Sequence, residues 1–163
     1  LIAHVGVSFV LTRQNRNARP QNYAFKDTVQ ASYASRTMWM SGVIVFLFIV
    51  YHLLHFTYGV TNPEFFHLID LKGREDVYSM VILSFQDPRI TAAYLLAMGV
   101  LCFHLSHGLQ SLFQSLGAQN SKAAPMTRRL AAALSLVIFA GNSAIPLAVW
   151  WRFIELPMKG VCC

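Results

Sequence analysis

The chain has 163 residues, 55% of them hydrophobic and only 12% charged, about half the charged share of an ordinary soluble domain. Its mean hydropathy of +0.46 excludes a disordered tail and argues against a water-exposed globule, and with only three cysteines and no bias to glycine or proline it is neither a disulfide scaffold nor a collagen. The net charge of +6 would suit nucleic acid in a soluble protein. Here the basic residues sit in short clusters between long uncharged stretches, so membrane lipid is the expected partner and nucleic acid is not.

In chain order, Leu1 to Thr12 is apolar but too short to cross a bilayer. Its arginines (Arg13, Arg16, Arg19) follow it rather than precede it, the reverse of a secretory signal. It reads as a partial helix over 1–12 whose upstream half is expected to be missing. Asn15 to Ser35 contains Pro20 and scattered polar residues without an apolar period, and is expected to be irregular and docked on something else. Uncharged stretches then run Thr37 to Pro63, Ile90 to Ser121 and Leu130 to Trp151, each longer than the ~20 residues a spanning helix needs. They predict full spans at about 37–60, 90–117 and 129–151, with Pro146 kinking the last. Between the first two, Val77, Met80, Val81 and, near them, Leu83 and Phe85 recur on one helical face before Pro88, predicting a short interfacial helix at about 75–86. The fold class is therefore an all-α membrane protein, a transmembrane helix bundle forming one domain over 1–163.

Loop charge orients it. Arg13, Arg16, Arg19, Lys26 and Arg36 face Asp27 alone in one loop, and Lys122, Arg128 and Arg129 stand without an acid in another; both belong inside. The loop from Glu64 to Arg89 carries Glu64, Asp70, Glu75, Asp76 and Asp87 and belongs outside, as does the tail. Trp39, Tyr58, Trp150 and Trp151 lie near span ends, where amphipathic rings prefer the interface.

Five of the six histidines (His4, His52, His55, His104, His107) fall in the expected spans. A polar ring in hydrocarbon is costly unless satisfied, which makes intramembrane histidines presumptive sites. His52 and His55, like His104 and His107, are three apart and share a helical face. At 1.5 Å per residue, His4 lies roughly 13 Å and His52 roughly 24 Å from the inner edge, whereas His104 lies near mid-span and depth leaves its partner open. Two levels of imidazole in an apolar bundle suit two stacked haems, since bis-imidazole ligation closes the iron to oxygen and leaves electron transfer. Packing against a neighbouring helix is the competing explanation for any single ring and is favoured for His55 and His107, which could also bond a propionate, a carbonyl or a quinone. Zinc is disfavoured, because no metal-ligand spacing such as C-x-x-C appears and no Asp or Glu shares these depths.

The strings T-R-Q-N-R-N-A-R-P (Thr12 to Pro20), F-I-V-Y-H-L-L-H-F (Phe48 to Phe56) and C-F-H-L-S-H-G-L-Q-S (Cys102 to Ser111), with D-V-Y-S-M-V-I-L-S-F-Q-D-P before the penultimate span, together resemble the cytochrome b membrane-anchor subunit of succinate:quinone oxidoreductases. The likeness is to the five-helix, di-haem type and covers essentially the whole chain. It implies an anchor that binds the iron–sulfur and flavoprotein subunits of succinate dehydrogenase on its inner face. Such an anchor carries two b haems and exchanges electrons with a quinone, menaquinone being the species expected, in a bacterial cytoplasmic membrane.

Carried over, the family's ligands match His4 and His104 on the inner haem iron and His52 on the outer one. The family's first helix, with the fourth ligand, has no counterpart here, so a fragment is expected, or a separate small membrane subunit that supplies the helix. Gly108 is expected at a haem, and Ser106, Ser111 and Gln114 could bond a haem edge or a quinone. Arg13 and Arg16 could pair with propionates or with the iron–sulfur subunit, although the inside preference for positive charge explains them equally. Cys162 and Cys163 resemble a prenylation end on the wrong side of the membrane and are discounted. Two other readings stay open: a cytochrome b of a hydrogenase or formate dehydrogenase, and a haem-free proton-relay transporter subunit.

Overall fold

The computed structural model describes residues 1–18, 21, 32–118, 120 and 122–156; Arg19, Pro20, Lys26 and the pair Cys162 and Cys163 lie outside them. Among the described residues seven α-helices follow one another: α1 Ile2–Asn17, α2 Tyr33–Arg36, α3 Met38–His52, α4 Pro63–Phe66, α5 Val77–Phe85, α6 Pro88–Ser115 and α7 Ala124–Trp150. A π-helical turn, Leu53–Thr57, prolongs α3. Among the described residues three segments are long and apolar enough to cross a membrane: Met38–Thr57, Pro88–Ser115 and Ala124–Trp150, with mean hydropathies of 1.9, 1.5 and 1.9. They match the expected spans to within a few residues. The partial helix expected over 1–12 runs on to Asn17, and α2 gives helical structure to the end of a segment expected to be irregular.

Acids in the outer loop set where helices begin. Asp76 caps α5 by accepting from the Ser79 backbone N–H at 3.0 Å, and Asp87 caps α6 by accepting from Arg89 N–H at 2.8 Å, with Pro88 as the first helical residue. The Ser79 hydroxyl and then its backbone N–H hold the Asp76 carboxyl below the usual range. Asp70 folds the loop before it, accepting from the Arg74 backbone and guanidinium and from Lys72 N–H, and these bonds, Arg74's first, hold its pKa down. At the end of the π turn, Gly59 adopts φ +65°, and a Cβ there would overlap the Phe66 ring. Only glycine satisfies both constraints.

The bundle is built on α6, which packs most extensively against α7 and next against α3. Small side chains on α7 (Thr127, Ala131, Ser135, Ser143) are buried, which lets the two backbones approach as membrane helices without a solvent-driven core require. Much of the remaining apolar surface faces outward, Val137 and Leu96 among it, as a lipid-embedded helix should present.

The short helix α5 departs from the expected pattern. Val77 faces outward at 54% exposure, while Ile82 and Phe85, at 1% and 5%, enter the core with Tyr94 and Val149. The helix is tucked over the outer end of the bundle, packed on α6 and α7; of the residues expected on one face, Met80 and Phe85 are buried and Val77 is not, while Ile82, outside that set, is buried as well. α7 runs from Ala124 to Trp150 as one helix through Pro146.

Candidate functional site

The histidines form two clusters at opposite ends of the antiparallel α3–α6 pair. At the inner end, His104 of α6 meets His4 of α1, with ring centroids 6.4 Å apart and planes crossed at 89°. The depth of His104 alone left its partner undecided; the packing places it beside His4. α1 is otherwise lightly held, with no buried residue, and Arg16 lies over the Trp39 ring of α3 at 5.0 Å. Arg13 is exposed at the inner end of α1.

His104 is oriented from α3. The buried Ser41 hydroxyl lies 3.0 Å from His104 Nδ1 and donates to the Met38 carbonyl at 3.0 Å. Beside it, a Cβ on Gly42 would come within 3.2 Å of His104 Cε1, so glycine leaves the ring its place. Gly108, singled out in the sequence, is looser: a Cβ there would meet only the Met38 methyl at 3.8 Å. His107 turns to its own helix, its Nε2 3.2 Å from the Ser111 hydroxyl. Ser106 donates to the Phe103 carbonyl at 2.8 Å, and Gln114 faces outward.

At the outer end, His52 and His55 both reach the Tyr94 hydroxyl of α6, at 3.4 Å and 2.9 Å from their Nδ1 atoms. The rings differ in surroundings. His55, in the π turn, is 1% exposed and has both nitrogens engaged, Nε2 lying 2.7 Å from Asn62 Nδ2. His52 is exposed and borders a cavity of about 680 Å³ between α3, α5, α6 and α7. Its wall is largely aromatic and aliphatic, Phe48, Phe85 and Met98 included, with Thr57, Glu75, Asp76 and Asn142 as polar members beside His52 and Tyr94. α7, which carries no histidine, supplies Asn142, Ile145 and Pro146 to that wall.

The two levels are well separated. Ser41 and His52 stand eleven residues apart on α3, about 16 Å at 1.5 Å per residue, and Tyr94 and His104 bracket a similar length of α6. Among the described residues, no three of His, Cys, Asp and Glu are grouped so as to hold a metal ion; the arrangement offers imidazoles singly or in a pair. Sequence reasoning missed Ser41, Tyr94 and Asn62. Ser41 had left a trace, as an isolated hydroxyl in an apolar span. The π turn left none.

No curated protein and no solved structure matches the chain. The family described as succinate dehydrogenase/fumarate reductase transmembrane subunit matches residues 12–141, a stretch that holds His52, His104 and both hydroxyls that touch them. An all-α bundle with three helices able to span a membrane agrees with that match, and the chain belongs to the succinate dehydrogenase/fumarate reductase transmembrane subunit family.

Proposed function

We propose that the chain is the cytochrome b anchor of a succinate dehydrogenase or fumarate reductase, holding two b haems at two depths. The observation that carries this reading is the His4–His104 pair. The two rings come from different helices and stand with centroids 6.4 Å apart, where both could hold one haem iron. Ser41 occupies His104 Nδ1, which leaves Nε2 as the coordinating atom. The outer level fits the same cofactor: His52 borders an apolar cavity of about 680 Å³, within the ~300–1,000 Å³ of small-molecule and cofactor sites. His4 and His104 would thus hold the inner iron and His52 the outer one, its second ligand coming from the family's first helix.

Bound haem supplies one-electron transfer between the iron–sulfur subunit and a membrane quinone. The chain itself fixes ring planes through hydroxyls, keeps water out with the aromatic cluster of Phe48, Phe56, Phe85 and Tyr94, and anchors the catalytic subunits to the bilayer. Arg13 and Arg16, exposed at the end of α1, face those subunits. His55, with both ring nitrogens bonded within the protein, and His107, whose Nε2 meets Ser111 of its own helix, serve as packed, hydrogen-bonded side chains.

The test is a dithionite-reduced-minus-oxidised spectrum of the detergent-solubilised complex. A b-type α band that co-purifies with a flavoprotein and an iron–sulfur subunit is the expected result. A colourless complex containing the full chain overturns the reading and favours a haem-free proton relay.

A further inference from the structure

Two hydroxyls stand against the imidazoles assigned to metal, and each comes from the other helix. Ser41 lies on α3, which carries His52, yet touches His104 of α6; Tyr94 lies on α6, which carries His104, yet touches His52 of α3. We propose that α3 and α6 orient each other's ligand: Ser41 is the positioning residue for His104, and Tyr94, anchored by His55, is the positioning residue for His52. This rests on the two-haem reading above.

The direction of each bond follows from proton counting. Ser41 has one hydroxyl proton, and the Met38 carbonyl at 3.0 Å can only accept it. The contact to His104 Nδ1 is then donated by the ring, so the proton sits on Nδ1 and Nε2 presents a lone pair. Gly42 keeps the ring free to hold that pose. A ligating histidine whose other ring N–H is bonded in this way is fixed in tautomer and plane and made more basic.

The outer chain can run either way. As placed, Asn62 Nδ2 donates to His55 Nε2, His55 Nδ1–H to the Tyr94 oxygen, and the Tyr94 hydroxyl to His52 Nδ1, which leaves the His52 proton on Nε2. With the Asn62 amide turned over, every bond reverses. His52 Nδ1–H donates to Tyr94, Tyr94 to His55 Nδ1, and His55 Nε2–H to Asn62 Oδ1. The proton count is the same in both directions, but only the second frees His52 Nε2 for a metal. The buried His55 is the pivot, since each of its nitrogens must change role, and its low exposure keeps water from substituting for either partner.

The experiment is a redox titration of both haems in the complete membrane complex carrying Ser41→Ala, Ser41→Thr or Tyr94→Phe, with haem content and low-spin electron paramagnetic resonance recorded alongside. The inner haem is identified as the one missing in His104→Ala and the outer as the one missing in His52→Ala. Ser41→Ala raises the midpoint potential of the inner haem alone, Tyr94→Phe that of the outer haem alone, and Ser41→Thr, which keeps the hydroxyl, titrates as wild type. Where Ser41→Ala fails to assemble, Ser41→Cys, with its weaker acceptor, carries the same expectation. A shift in the haem held by the substituted helix, or wild-type potentials in both variants with both haems retained, overturns the inference and leaves the two-haem reading standing. If His52→Ala and His104→Ala each keep two haems, both fall.

Discussion

The inner and outer histidine clusters use the same side chains in opposite ways. At the inner end, the two rings that meet belong to different helices, α1 and α6, and a single serine bond steers one of them. At the outer end, the two rings come from one helix, share one tyrosine hydroxyl, and divide the work: His55 is locked between Tyr94 and Asn62, and His52 borders the cavity. The contrast teaches that, within the outer cluster, the number of ring nitrogens the protein already satisfies separates the two histidines: His55, with both engaged, is structure, and His52, with one free, is open to a ligand.

That contrast can be broken most severely at the inner end. His104→Ala should remove one whole haem from the complex, whereas His107→Ala, one turn further on, should leave haem content unchanged because its ring bonds Ser111 of its own helix; a pyridine haemochrome assay on the purified complex reads both. Next in size is His55→Ala. It empties a fully buried site and leaves Tyr94 and Asn62 each with one longer bond, to His52 and Ser84, and should cost about 2–4 kcal/mol of stability, seen as a lower thermal unfolding midpoint, while both haems remain. A smaller effect is expected from Gly42→Ala, whose new methyl must displace the His104 ring. It should perturb the low-spin resonance of the inner haem, whereas Gly108→Ala leaves the spectrum as it was.

The smallest effect lies in the outer loop, away from both clusters. Bonds from Arg74 hold the Asp70 pKa below its unfolded value near 3.9. The contribution is therefore fully present above that value and lost as pH falls through the folded one. Asp70→Asn should flatten the fall in unfolding temperature between pH 5 and pH 3, with little change at pH 7, because the group is exposed and screened.

Much of the architecture was legible because lipid imposes it. Uncharged runs from Thr37, Ile90 and Leu130 could become nothing but spanning helices, and Pro88 marked the end of the short helix; that Asp76 and Asp87 cap helix starts emerged only from the structure. The face of α5 was misjudged around Val77 because a short helix with apolar residues on several sides does not declare which side a bundle end will cover; Ile82 and Phe85 won by packing against Tyr94 and Val149. Of the site, the histidines were visible as polar rings at membrane depth. Their division of labour was not, since it depends on contacts between residues 39 to 63 positions apart in the chain. The π turn that carries His55 has no sequence signature, and the Tyr94 hydroxyl reads as one more aromatic until the α3–α6 packing places it between two imidazoles.

Counting haem in the complex carrying the complete chain, beside the same complex with His52→Ala and His104→Ala combined, tests the account most directly. The account predicts two haems per anchor in the first preparation and none in the second. Two haems in both, or none in either, would contradict it.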